Sequence, residues 1–122
     1  MLVAACYVLW AALTLGVVLG FFHLRGGRMP NWMIGAVHGI AGALGLGILV
    51  FALKSGVVQG AQFGVESFGK FAAFLAAITL AAGVMFVLLR RVLRRNTYWL
   101  LGMHATLGAA ACILLLAYVS LG

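Results

Sequence analysis

The sequence predicts an all-α integral membrane protein: four transmembrane helices in an up-down bundle, built as a duplicated helical hairpin. Three observations predict it. Of the 122 residues, 66% are hydrophobic and only 7% charged, too few charges to cover a water-exposed surface of that size. Four apolar stretches, 2–24, 32–53, 68–89 and 98–121, each reach the ~20 residues that cross a bilayer as a helix. The two halves of the chain also lie over each other at an offset of 66 to 67 residues. No stretch of soluble-domain length is left over. Residues 1–122 therefore read as one transmembrane domain, with helices over about 2–24, 31–53, 67–93 and 97–121.

The first apolar stretch has no basic segment before it and no clear small-residue cleavage site, so it is expected to be a retained helix and not a cleaved signal. "LVAAC" at Leu2–Cys6 has the form of a lipoprotein processing site, but no hydrophobic region precedes it. The first helix ends at "RGGRMPNW", where two glycines break the chain and Pro30 stands near the start of the second helix, a position that tolerates a missing N–H. The second helix runs into a long, glycine-rich and weakly polar loop over 54–70, expected to lie along the membrane surface. Glu66 and Lys70 at the start of the third helix are spaced as a helical i, i+4 pair. The third helix ends in "RRVLRRNTYW", which offers Asn96 as N-cap of the fourth.

Basic residues are distributed unevenly. Arg25 and Arg28 follow the first helix, and Arg90, Arg91, Arg94 and Arg95 follow the third, against Lys54 and Lys70 on the opposite side. By the positive-inside rule the Arg-rich face is expected to be cytoplasmic and both termini external, periplasmic in a bacterial inner membrane. That placement accounts for a pI of about 10.5 without a nucleic-acid partner. Trp32, Tyr98 and Trp99 fit an interfacial aromatic belt. Cys6 and Cys112 belong to no CxxC or CxxCH pattern, which argues against covalent haem and a zinc ribbon, and they read as small apolar filler.

The duplication is clearest at particular residues. Gly16–Val17 falls on Gly83–Val84, the Arg-bearing loops coincide, Trp32 falls on Tyr98, His38 on His104 and Gly42 on Gly108. Parallel repeats of this kind are related by an axis along the membrane normal. Each histidine is seven residues inside its helix, about 10 Å from the Arg-rich end at ~1.5 Å per residue. Gly16 and Gly83 stand seven residues before the ends of the first and third helices, so all four residues are expected in one layer.

In an up-down bundle the second and fourth helices are diagonal, so His38 and His104 are expected to face each other across the centre. The His38 face continues through Gly35, Gly42 and Gly45, and the His104 face through Gly108 and Ala111. Small residues beside two facing imidazoles leave room for a porphyrin with axial histidines, and an intramembrane ionisable residue marks a functional site by default. The same glycines also suit plain close packing of membrane helices. His23 reads as an interfacial residue beside Arg25, and with three histidines in the chain one bis-histidine haem is the ceiling.

This pattern, H-x-x-x-G on two helices between basic loops, resembles the membrane b-type cytochromes: small four-helix haem proteins and the cytochrome b anchor subunits of dehydrogenases. The resemblance covers the second and fourth helices and the basic loops. It departs from two-haem members in having one buried histidine pair. It implies one haem b per chain, axial ligands His38 and His104, and electron transfer within a respiratory or photosynthetic membrane complex, with quinone as a further candidate partner. Gly16, Gly35, Gly42, Gly83 and Gly108 would then clear the ring, and Arg28, Arg94 and Arg95 would meet its propionates, though anionic lipid head groups would satisfy them as well. The rivals are a cofactor-free structural subunit, a chlorophyll- or bacteriochlorophyll-binding protein, and a transporter. Transport is disfavoured because membrane-depth charges for coupling ions are missing. P-loop, nucleophile-triad and HExxH patterns are absent, so an electron carrier or subunit is expected, not a stand-alone enzyme.

Overall fold

The computed structural model describes residues 1–26, 32–56, 64–93 and 98–121. Those residues form four helices: α1 (Leu2–Leu24), α2 (Trp32–Lys54), α3 (Val65–Leu93) and α4 (Tyr98–Leu121). Each has a segment long and apolar enough to cross a membrane. The shortest has 23 residues, about 35 Å at 1.5 Å per residue, against a hydrocarbon core of ~30 Å. The chain is an integral membrane protein.

Helix ends follow local backbone chemistry. After α1, Arg25 stays in the right-handed region and Gly26 takes φ 63°, so that its N–H reaches back to the His23 carbonyl while Arg25 N–H reaches Phe21. Gly56, at φ 64°, occupies the same kind of position after α2. A residue with a Cβ is strained in that conformation, which is why the helices stop at glycine. The third helix begins at Val65, so the end of the 54–70 stretch is helical and not loop. Pro30, Asn96 and the Glu66 side chain lie outside the described residues.

The helices pack as a square. α1 lies against α2 and α4, and α3 against α4 and α2, leaving α1–α3 and α2–α4 as the diagonals. Packing within each hairpin, α1 with α2 and α3 with α4, is the more extensive.

The core is concentrated at the end where the chain begins. Leu2, Ala5, Cys6 and Leu9 of α1 meet Leu49 and Ala52 of α2, Ala72 of α3, and Cys112, Leu115 and Tyr118 of α4. Small residues allow close approach: Leu9 fills the notch at Gly45, and Tyr118 and Leu53 fill the one at Gly69. Both cysteines are buried here as free thiols, and the Cys112 thiol points at the Leu9 carbonyl 3.7 Å away. Toward the Arg-rich end the packing loosens. Beyond Ala12, before Gly45, and beyond Ala76, no described side chain of α1, α2 or α3 is fully buried, and on α4 before Ala111 only Leu100 is. Large apolar side chains such as Val17, Phe51, Phe71, Phe74 and Ile113 face outward, as lipid contact demands.

Candidate ligand site: a histidine pair in the bundle

The site begins with a backbone carbonyl. In a helix, the C=O of residue i accepts the N–H of residue i+4 and keeps a second lone pair. A side chain at i+4 tends to cover that lone pair; a glycine does not. On α1 the carbonyl is Ala12 and the glycine is Gly16. His38 of α2 lies in this notch, with Nδ1 2.8 Å from the Ala12 oxygen. Its Cε1 is 2.8 Å from where a Gly16 Cβ would stand. On α3 the carbonyl is Thr79 and the glycine Gly83, and His104 of α4 repeats the geometry. Its Nδ1 is 2.8 Å from the Thr79 oxygen, and its Cε1 is 2.9 Å from a Gly83 Cβ position. Thr79 also donates its hydroxyl to the Leu75 carbonyl at 2.7 Å, which keeps that hydroxyl away from the imidazole.

A carbonyl oxygen can only accept, so in each imidazole Nδ1 carries the proton and donates it. Nε2 is left as the basic nitrogen, and the ring's orientation is fixed by a group on the neighbouring helix. The two rings meet at the bundle centre, with centroids 5.8 Å apart and planes at 78°, edge to face. Both histidines are half-buried.

The residues singled out in the sequence take different places. His38, His104, Gly16 and Gly83 come together, and the space beside the two glycines is taken by the imidazoles themselves. Gly108 packs on α3, where its Cβ position is 3.3 Å from Thr79 Cγ2. Gly42 is half-buried with no heavy atom within 4 Å of its Cβ position, and Gly35 is exposed with the same open surroundings. Arg28, Arg94 and Arg95 lie outside the described residues.

The chain matches no protein family, no curated protein and no solved structure. What the site can do is therefore read from its own geometry. Among the described residues, no group of three or more His, Cys, Asp or Glu could hold a metal ion, so a tetrahedral all-protein centre is not formed there. Among the described residues, the two imidazole nitrogens stand without a third such group beside them.

Two features escaped the sequence. One is the pair of carbonyls, which have no letter of their own; the shared offset of 67 between Ala12–Gly16 and Thr79–Gly83 was the available signal. The other is His23. It is half-buried, with its ring 5.7 Å from Phe86 of α3 and 5.5 Å from Tyr98 of α4. Arg25 beside it turns outward, with its guanidinium 4.3 Å over the Phe21 ring.

Proposed function

We propose that this protein holds one haem b between His38 and His104 and serves as a membrane electron carrier or as a small haem-bearing subunit of a larger membrane complex. The observation that carries this reading is the convergence of two imidazoles from diagonal helices, each with Nδ1 committed to a backbone carbonyl. Two imidazoles bound to one metal ion at ~2 Å each would have ring centres about 6 Å apart. The observed separation is 5.8 Å, and in this edge-to-face pair one ring has to turn before both Nε2 atoms address the same ion. The loosely packed half of the bundle is also the half that contains the pair, and Gly42 adds open space there.

Bound haem would supply one-electron chemistry at its iron. The protein's part is to fix the ligands. The Ala12 and Thr79 carbonyls hold each ring in one tautomer and raise the basicity of Nε2. The apolar surroundings exclude water and keep the ligands from reorganising as charge changes. A pyridine haemochrome assay on the purified protein should give b-type haem at close to one per chain. A haem-free protein, or a c-type signature, overturns the reading.

A second reading rests on the imidazoles filling the Gly16 and Gly83 notches: a cofactor-free subunit whose histidines clamp each hairpin. The same assay separates the two.

The orientation proposed with this function has the Arg-rich loops in the cytoplasm and both termini outside, from six basic residues against two. Reporter fusions at both termini should be active only as external reporters. Cytoplasmic activity at either end reverses the assignment.

A further inference from the structure

We propose that Cys6 and Cys112 form a reversible inter-helix disulfide, made by exchange with a small organic disulfide that reaches Cys6 from the lipid face of the α1–α4 seam. The inference does not depend on the haem reading. Two observations place both thiols at that seam. An open apolar groove there is lined by Val3, Cys6, Tyr7 and Trp10 of α1 and by Leu116 and Val119 of α4. From the other side, the Cys112 sulfur points at the Leu9 carbonyl, 3.7 Å away and one turn beyond Cys6 on α1. The two thiols are also within electrostatic reach of each other.

Their depths agree. The imidazole layer contains Gly16 of α1 and His104 of α4. Cys6 stands ten residues before Gly16, and Cys112 eight residues after His104. Because α1 and α4 run in opposite directions, both lie on the same side of the layer, two residues apart in depth, about 3 Å. For helices packed roughly 8–10 Å apart, facing Cα atoms at that offset stand about 5–6 Å from each other, a distance that a disulfide spans. Ala5 beside Cys6 and Ala111 beside Cys112 are buried too, and side chains that small permit close approach. Leaving the Leu9 carbonyl costs Cys112 little, because S–H is a weak donor and the carbonyl keeps its helical N–H.

The order of events follows from access. Cys6 lines the groove, and the Trp10 side chain hydrogen-bonds to its sulfur, so an N–H supports the charge of the attacking thiolate. Cys112 is not among the groove residues. The Cys6 thiolate attacks one sulfur of the small disulfide, forming a mixed disulfide and releasing one small thiol, which takes the proton. Cys112 then displaces the second small thiol and closes the Cys6–Cys112 bond. The product joins the first helix to the last. It lies on the side that the orientation proposed above makes external, where disulfides persist.

Folded protein in neutral detergent is treated with dipyridyl disulfide, a membrane-soluble reagent, and released thiopyridone and intact mass are followed. The chain has two cysteines, so every product can be assigned. The parent should release two thiopyridones per chain, lose two hydrogens in mass and keep no pyridyl group. Dithiothreitol should reverse the change. Cys112→Ala should release one thiopyridone and keep one pyridyl group on Cys6. Cys6→Ala should react about tenfold or more slowly, because the remaining thiol does not line the groove. A parent that keeps pyridyl groups on both sulfurs shows that the thiols cannot meet and overturns the proposal. So does a parent that does not react, or one that becomes a linked dimer. Reaction of Cys6→Ala as fast as the parent overturns entry through the groove. A haem-free protein should give the same products, so failure of the haem reading leaves this inference standing.

Discussion

His38→Ala and His104→Ala should each abolish the low-spin six-coordinate haem spectrum, and haem should be lost during purification. On the haem reading proposed above, each variant removes one of the two proposed ligands. Among the described residues there is no third His, Cys, Asp or Glu grouped with the pair. The loss should be specific, because neither substitution orphans a polar group. The Ala12 and Thr79 carbonyls keep their helical N–H partners after the imidazole goes. His23→Ala should keep the six-coordinate spectrum, since its ring is packed on Phe86 and Tyr98 and not on the pair. Visible spectra of the three variants decide the matter. Retention of the spectrum in both single variants, or its loss only in His23→Ala, assigns the ligation elsewhere.

The second large effect needs no cofactor. Gly16→Ala or Gly83→Ala puts a methyl group 2.8 or 2.9 Å from an imidazole carbon. Contacts that short do not persist, and the ring cannot simply swing aside because Nδ1 is held by the carbonyl four residues back. Either the hydrogen bond breaks or the two helices separate. Overpacking and a lost half-buried hydrogen bond together outweigh alanine's helix preference and should destabilise the hairpin by about 1–3 kcal/mol. Gly42→Ala should act oppositely: its methyl meets nothing, and alanine is the better helix former by about 1 kcal/mol. Unfolding of the apo-protein in detergent reads both. If Gly16→Ala and Gly42→Ala change stability alike, the notch geometry is wrong.

The four helices were legible because lipid imposes a simple rule: a long apolar run must satisfy its backbone internally. Depth was legible too. Counting seven residues from each Arg-rich end places His38, His104, Gly16 and Gly83 in one layer, and the structure has the four residues together. Which way each glycine faces was not legible. Leu, Val and Ala occur on the lipid side and the core side alike, so no polar face betrays the orientation of a helix. Gly16 and Gly42 look equivalent as letters, yet one receives an imidazole and the other borders open space. The packing of His23 was hidden for a related reason. Its place beside Arg25 points to the interface, and only the fold brings Phe86 and Tyr98 onto its ring.

Each imidazole is tethered inside its own hairpin, His38 to α1 and His104 to α3, and the two rings meet across the hairpins. This bears on biogenesis. A membrane-inserted α1–α2 pair already has its histidine oriented and its tautomer set before α3 and α4 are made. The second hairpin arrives with the equivalent fitting in place. The halves then join through the Leu49–Leu115 core at one end and through His23 against Phe86 and Tyr98 at the other. Assembly of the bundle then asks only that two preset halves meet.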